Sequence, residues 1–562
     1  MYVLHIDNQD YSKYRLINDK ETITLNIPVL IRYLFYGDIV NINPEHSKID
    51  LIERPNQLKS IVGELELYSR YSFKSNKKGV PGYIFRPLDY RYPKFIVHSK
   101  LKRNSSHNLL VTIQFNNWDK NALFPRGYLV KNLGYINDKK AIQESLLSKY
   151  ILDMKNIKYS FGDIPLQFNN LIHSNIDREK LTGDIISIDP EGCRDVDDAF
   201  TYKNIKDTVI LDIHISDVYY LLNKLGMIDK IHNVTSIYLD TYIKPMLPDV
   251  ISNNYGSLLE KTTRFMLSLK IKYCTKTNKI IETCLRKTIG EVKKNYTYDN
   301  YPKKYNKSFK IIEEIYKQIT GQIIKIDESH KFIEALMIIY NTYFSKITSD
   351  KDISIYRIQD KYKADVDLNA DSSLGKFLSL ITSSSAKYSL QQKGHATLNI
   401  SYYTHATSPL RRIADLMNQE IFYTNQCSII NNVSIDFINE YNKRLKKCYR
   451  DINKILLAYD VYNTQSYYSK CYIYRYDDSK KKCYLYFPDE NISLKTTLLS
   501  YKLSDKFSTE LSENSIIMTD DTKKEISKIS LNKLVNVSIN GKPNIYDPDK
   551  SLIIDFGVFQ VK

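Results

Sequence analysis

No stretch of the 562-residue chain approaches the ~18 uncharged apolar residues that a membrane-spanning helix needs. The first residues, MYVLHIDNQDYSK, place polar and charged side chains where a signal peptide carries its apolar core. Seven cysteines (Cys193, Cys274, Cys284, Cys427, Cys448, Cys471 and Cys483) include no C-x-x-C pair. An odd count at irregular spacing fits reduced, intracellular thiols better than a disulfide framework or a zinc site. Only one tryptophan is present, and neither a solenoid-type repeat nor a low-complexity linker interrupts the chain. These absences point away from a polytopic membrane protein and a secreted scaffold. They lead to the expectation of an intracellular protein, cytoplasmic or nuclear, without a membrane partner.

What is present suits a large globular protein. The chain is long enough for about three to five domains. Hydrophobic residues make up 43% and charged residues 26%, which excludes wholesale disorder. Lys and Arg number 81 against 64 Asp and Glu, a net charge of +17. That excess has two readings: an AT-rich genome, viral or protistan, whose coding favours Lys, Asn, Ile and Tyr, or a surface that binds nucleic acid. The 47 tyrosines divide the same way, between coding bias and stacking platforms for bases.

Periodicity orders the chain. Short alternating runs at 27–42, 61–73 and 109–115 predict half-buried strands in two small β-rich modules over residues 1–150. Residues 139–155 read as a helix, followed by a connector to about 175. Residues 176–462 mix strands, such as the start of LDIHISDVYYLL (211–222), with long helices at 332–347 and 438–462. Strands return over 463–562, in KCYIYRY, KKCYLYF, KLVNVSI and LIIDFGVF. Small barrels account for such strand-rich ends, as do small sandwiches.

The densest chemistry lies in Ile188-Asp189-Pro190-Glu191-Gly192-Cys193-Arg194-Asp195-Val196-Asp197-Asp198. Four aspartates fall within ten residues. Like charges crowded together repel, and a hard divalent cation with oxygen ligands relieves them. Without Cys or His pairs nearby, Mg²⁺ or Mn²⁺ suits the donors better than zinc. A solvated acidic turn is the plain alternative; the EF-hand spacing is absent. Two hundred residues on stands Tyr403-Thr404-His405-Ala406-Thr407-Ser408-Pro409-Leu410-Arg411-Arg412. Pro409 after Ser408 predicts a helix start capped by Ser408, with both arginines in its first turn. Cations there oppose the helix dipole, so an anion such as phosphate is their natural partner.

Together these segments resemble the RNase II (RNB) family of 3′→5′ exoribonucleases. The shared pattern is D-P-x-G-x-x-D-x-D-D, then His214-Ile215-x-Asp217-Val218, then Y-x-H-x-T-S-P-[IL]-R-R. Between them, Tyr238-Leu239, Pro245-Met246-Leu247-Pro248, Ser257-Leu258, Arg264, Thr297-Tyr298 and Ile333-Glu334 with Met337 and Asn341 follow the family's order. The segments 83–94 and 125–134 resemble the eukaryotic exosome-nuclease branch, although a chain starting directly in a barrel has no room for that branch's N-terminal PIN endonuclease domain. The resemblance covers roughly 1–562 and is strongest over 180–420.

The resemblance implies a multidomain α+β fold, an RNB catalytic domain flanked by OB-fold β-barrels. The expected boundaries are 1–55 and 56–150 for two OB-like cold-shock domains, 151–175 for the connector, 176–462 for the catalytic domain and 463–562 for a C-terminal OB-like domain. It implies a processive, Mg²⁺-dependent 3′→5′ exoribonuclease, expected to act as a monomer, that hydrolyses single-stranded RNA to nucleoside 5′-monophosphates with two metal ions, for which Mn²⁺ can substitute. Asp189, Asp195, Asp197 and Asp198 would form the metal cage. Asp197 would be essential to chemistry, and Arg411 would clamp the scissile phosphate. Tyr238, Tyr298, Glu334, Tyr403, His405 and Arg412 would contact RNA; each also has a packing or surface role as its alternative. Ala406, Ile413, Gln419 and Glu420 depart from the family pattern, and the last two are expected to weaken RNA contacts. An RNA-binding pseudo-nuclease is the competing reading, and a Mg²⁺ phosphatase unrelated to RNA is a third.

Overall fold

In the computed structural model of the chain, the described residues are 1–8, 10–27, 31, 33–43, 45, 48–54, 60–68, 73, 75, 78–102, 107–119, 122–151, 164–174, 177–360, 373–382, 384–464, 467–497 and 507–556. The chain divides into two compact units. Met1–Leu152, Asp371–Phe377 and Lys443–Lys562 form one; Asp153–Ala370 and Leu378–Asn442 form the other.

Three β systems make the first unit. Tyr2–Ile6, Tyr14–Ile17, Thr22–Leu25, Ile39–Ile42 and Ile49–Glu53 form an antiparallel sheet. Ile61–Leu65, Gly82–Pro87, Phe95–His98, Leu109–Asn117 and Arg126–Tyr135 close into a five-stranded barrel, the architecture of an OB fold. Its third and fifth strands run parallel, with Arg126 beside Ile96. The alternation read over 61–73 does not produce a half-exposed strand. The strand ends at Leu65 and all five of its residues are buried, because the helix Lys139–Tyr150 also packs against it. Toward the C-terminus, Tyr467–Asp477, Lys482–Phe487, Ile492–Thr497, Leu534–Gly541 and Leu552–Asp555 form a five-stranded sheet, and Phe507–Ser512, Ser515–Asp520 and Glu525–Ser530 a three-stranded one. Both contribute to one core, with Ala458 and Val461 of the helix Ile435–Thr464.

The second unit is built on β1 (Ile185–Asp189), β2 (Asp198–Ile205), β3 (Thr208–Ser216), β4 (Thr263–Cys274) and β5 (Lys279–Thr297). β1 pairs antiparallel with β2 and parallel with β5. β2–β3, β3–β4 and β4–β5 are antiparallel, so the five strands form a closed ring. Its helices are α1 (Ile164–Ser174), α2 (Val218–Lys224), α3 (Phe309–Thr320), α4 (Ser329–Thr348) and α5 (Ile413–Thr424). α1 lies in the segment expected as a connector; the residues just before it, 152–163, are outside the described set. Phe168 anchors α1 against Tyr255 and Phe265. In α4, Phe332, Leu336, Ile339, Tyr340 and Phe344 recur at helical spacing. They share one core with Phe200, Ile213 and Leu269 of the ring. Each such side chain contributes about 1.5–3 kcal/mol when withdrawn from water.

Candidate active site

The acidic segment connects β1 to β2. Asp189 is the last residue of β1 and Asp198 the first of β2. The chain turns sharply at Pro190-Glu191-Gly192-Cys193, where the Cys193 amide donates to the Pro190 carbonyl at 3.2 Å. Gly192 takes φ +76°, a left-handed conformation that glycine adopts without the penalty of a Cβ. Ser257, fully buried, ties the remainder down. Its Oγ accepts from the Val196 amide at 2.9 Å and donates to the Arg194 carbonyl at 2.7 Å. The Leu258 amide and the Ser216 amide then bond the Val196 and Asp197 carbonyls.

The arginine segment reaches the same place from the far side of the chain. α5 starts at Ile413, not at Pro409. Ser408 to Arg411 form a turn, and the Arg411 and Arg412 amides bond the Ser408 carbonyl at 3.2 and 3.0 Å. Both arginines therefore precede the helix rather than occupy its first turn. The Ser408 side chain does not cap α5; instead Asp415, in the first turn of the helix, reaches back to accept from the Ser408 amide at 2.8 Å and from Arg412 at 2.7 Å. A hairpin carrying Tyr238, with Ile237–Tyr238 paired to Ile243–Lys244, is stitched to this turn. The Ser236 amide and the Thr235 hydroxyl both donate to the Arg411 carbonyl.

All eleven candidate residues line one cavity of about 470 Å³. Asp189, Asp195, Asp197 and Asp198 share it with Arg411 and Arg412, Tyr238, Tyr298, Glu334, Tyr403 and His405. Asp197 is the most enclosed, with 1% of its surface exposed. Its carboxylate accepts from the Leu410 amide and from Arg411 Nε, both at 2.9 Å. Arg411 reaches Ser408 Oγ as well, at 3.0 Å. The Tyr238 hydroxyl donates to Asp195. Tyr298 rests against His330, with ring centres 5.1 Å apart. Glu334 is exposed to the cavity, not buried as a helix-pairing carboxylate, and His330 stands one turn before it on α4. Tyr403 is nearly buried and meets Asn341. His405 faces Tyr388 at 2.9 Å; burial, with Arg412 and Arg357 nearby, pushes its pKa far down, so it meets the cavity as a neutral ring.

Charge crowding is real here. Burial, with Asp195 adding to it, pushes Asp189 up to about 6 against the opposing effects of Ser187 and Arg411. Burial raises Asp197 to about 7, and burial with Asp189 and Asp197 alongside drives Asp198 well upward. No described residue donates a hydrogen bond to the Asp198 carboxylate. Carboxylates so placed have the donor chemistry of a hard-cation site. Among the described residues, no three His, Cys, Asp or Glu side chains are gathered tightly enough to form a finished cage. Asp197 is turned to Arg411 and Leu410 instead. The donors fit a divalent ion in kind, with Asp189, Asp195 and Asp198 directed to the common cavity.

The departures from the motif lie away from the cavity. Every residue from Ile413 to Ile421 is buried. Gln419 accepts from the Tyr219 amide at 3.0 Å and donates to the Ser216 carbonyl at 2.7 Å. Glu420 accepts from the Ser428 and Ile429 amides at 2.9 and 3.2 Å. Both side chains are therefore buried and hydrogen-bonded within the fold, away from the cavity. Ala406 and Ile413 are likewise core residues. Sequence reasoning did not single out Cys193, His330 or Leu398, which also line the cavity. The spacing of His330, four residues before Glu334 and just ahead of the helix expected at 332–347, was the available signal.

Comparison with known proteins matches the RNB domain at residues 178–314 and 304–425, and the Dis3-like cold-shock domain 2 at 82–150. Exosome complex exonuclease RRP44 of Mus musculus is 25% identical over 235 residues, 40% of this chain and 24% of that protein. Ribonuclease R of Mycoplasmopsis pulmonis is 29% identical over 314 residues, 42% of this chain and 43% of that protein. The chain thus matches less than half the length of these curated relatives. Among solved structures, Mycoplasma genitalium RNase R in complex with ribose methylated single-stranded RNA superposes with a TM-score of 0.73 at 17% identity, covering 99% of each chain. Yeast Ssd1, a pseudonuclease, superposes at 0.61 with 13% identity, covering 99% of this chain and 96% of that one. The fold is a multidomain α+β arrangement of an RNB domain with barrel-like sheets.

Proposed function

The chain carries an RNB domain, and from that premise we propose that it is a divalent-metal-dependent 3′→5′ exoribonuclease that degrades single-stranded RNA processively to nucleoside 5′-monophosphates. The observation that carries this reading is the convergence of four aspartates and Arg411 on one cavity that tyrosines also line. Asp189, Asp195 and Asp198, with Asp197, would hold Mg²⁺, or Mn²⁺ in its place. Such ions neutralise phosphoryl oxygens and lower the pKa of bound water.

The chain's own residues divide the remaining work. Tyr238 and Tyr298 offer ring faces to bases at the 3′ end, and stacking of about 1–3 kcal/mol per base holds RNA without reading sequence. The exposed Glu334 carboxylate accepts hydrogen bonds from ribose hydroxyls, the groups that distinguish RNA from DNA. Arg411, tied to Asp197 and Ser408, is aimed into the cavity, where its guanidinium pairs with the scissile phosphate. Arg412, paired with Asp415, also lines the cavity and is the candidate for a second phosphate contact.

A pseudo-nuclease is the second reading. The Arg411–Asp197 pairing favours it, because each group occupies the other, and so does the fold likeness to Ssd1. Incubation of 5′-labelled single-stranded RNA with the wild type and Asp197→Asn separates the two. We expect a ladder ending in a short product from the wild type alone, with RNA binding retained by both. The Asn amide oxygen can still accept from Leu410, so the variant should fold. Binding without cleavage by both proteins, in Mg²⁺ and in Mn²⁺, would leave only the pseudo-nuclease.

A further inference from the structure

A hydrogen-bonded chain enters the carboxylate cluster from behind, through residues outside the family motif. β1 lies parallel to β5, with Ser187 opposite Asn295 and Asp189 opposite Thr297. The Glu260 amide donates to Asn295 Oδ1 at 2.7 Å. That bond sets the orientation of the Asn295 amide group. Its Nδ2 then donates to the Leu258 carbonyl at 3.0 Å and to Ser187 Oγ at 2.7 Å. Ser187, with 1% of its surface exposed, has one proton to give. Because Asn295 already donates to its oxygen, the proton goes to Asp189 Oδ2, 2.6 Å away. No described residue donates to Asp189 Oδ1. One carboxylate oxygen is thus held from the rear, and the other is left for the cavity.

We infer that Ser187 and Asn295 are positioning residues that orient Asp189 toward a divalent cation. The inference rests on the reading of Asp189 as a cation ligand. A carboxylate among like charges gains by rotating away from its neighbours; the donated hydroxyl removes that freedom. Outer groups of this kind typically set metal affinity by about 10–100-fold. The direction of the relay is fixed at its far end by a backbone amide, which cannot reverse its role.

The experiment titrates the full-length protein with Mn²⁺ and measures free ion by electron paramagnetic resonance, beside the rise in thermal midpoint on Mn²⁺ addition. Ser187→Ala should weaken Mn²⁺ affinity by about 10-fold or more, while the midpoint without metal and the binding of single-stranded RNA remain as in the wild type. Asn295→Ala should shift affinity in the same direction, and the double variant should lose no more than Ser187→Ala alone. Ser187→Cys keeps the volume filled with a poorer donor, so it serves if the alanine variant does not fold. Wild-type affinity in a folded Ser187 variant would overturn the relay. Absence of Mn²⁺ binding by the wild type would instead overturn the metal-dependent function on which the relay rests.

Discussion

His214 shows how a single side chain can carry structure without chemistry. It is fully buried, and its two ring nitrogens meet Thr201 at 2.9 Å and Ser268 at 2.7 Å. Ser268 continues to Thr288 at 2.6 Å, so one polar line crosses β2, β3, β4 and β5. Burial, with a smaller contribution from Arg286, pushes the His214 pKa down to about 3. The unfolded chain takes up a proton near pH 6.5, whereas the folded ring stays neutral until about pH 3. The unfolded state therefore binds more protons in that window, and stability falls as pH is lowered through it. One such group contributes up to about 1.4 kcal/mol per pH unit. Denaturation midpoints followed from pH 7 to pH 4 should decline, and His214→Gln should flatten the decline. An identical slope in a folded variant would show that other groups set it. Its two hydroxyl partners, Thr201 and Ser268, come from two different strands and carry no mark in the sequence.

Elements follow the same division. The long apolar stripe of 332–347 and the basic run 438–462 were legible because helical periodicity is local, and they appear as Ser329–Thr348 and Ile435–Thr464. Strand 61–65 was legible in type but not in burial, because its second cover is a helix that begins 74 residues after its own end. The helix at α5 was displaced by four residues from its expected start, since the Arg411 and Arg412 amides close a turn on the Ser408 carbonyl before the helix begins. Close approach between elements gives a prediction at this scale. Gly541 ends the strand Leu534–Gly541 against the helix Ile435–Thr464. A Cβ there would overlap the Ala458 carbonyl oxygen and lie 2.7 Å from the Tyr462 amide nitrogen. Both are backbone atoms and cannot step aside as a side chain would. Gly541→Ala should destabilise the protein by about 1–3 kcal/mol, read as a lower denaturant midpoint. An unchanged midpoint would mean that the helix yields more readily than this packing implies.

At the scale of the whole molecule, the proposed function implies that the net charge of +17 would attract RNA before any single contact forms. Affinity for single-stranded RNA should fall linearly with salt on a logarithmic plot, with a slope of about −0.7 for each phosphate neutralised. Filter binding by Asp197→Asn across a salt series measures it free of cleavage; a flat plot would assign the charge to coding bias. The eleven candidate residues were legible as residue types, because charge and aromaticity belong to single side chains. Their type and order were set by the sequence alone. Their meeting in one cavity was not, since Asp197 and Leu410 lie 213 positions apart and touch only when the ring has closed and α5 has docked. Tertiary structure also decided the burial of Gln419 and Glu420, the outward face of Glu334, and the union of Asn295, Ser187 and Asp189. Strand pairing brings that last group together, and pairing depends on register across a sheet. A linear reading of residue types does not contain that register.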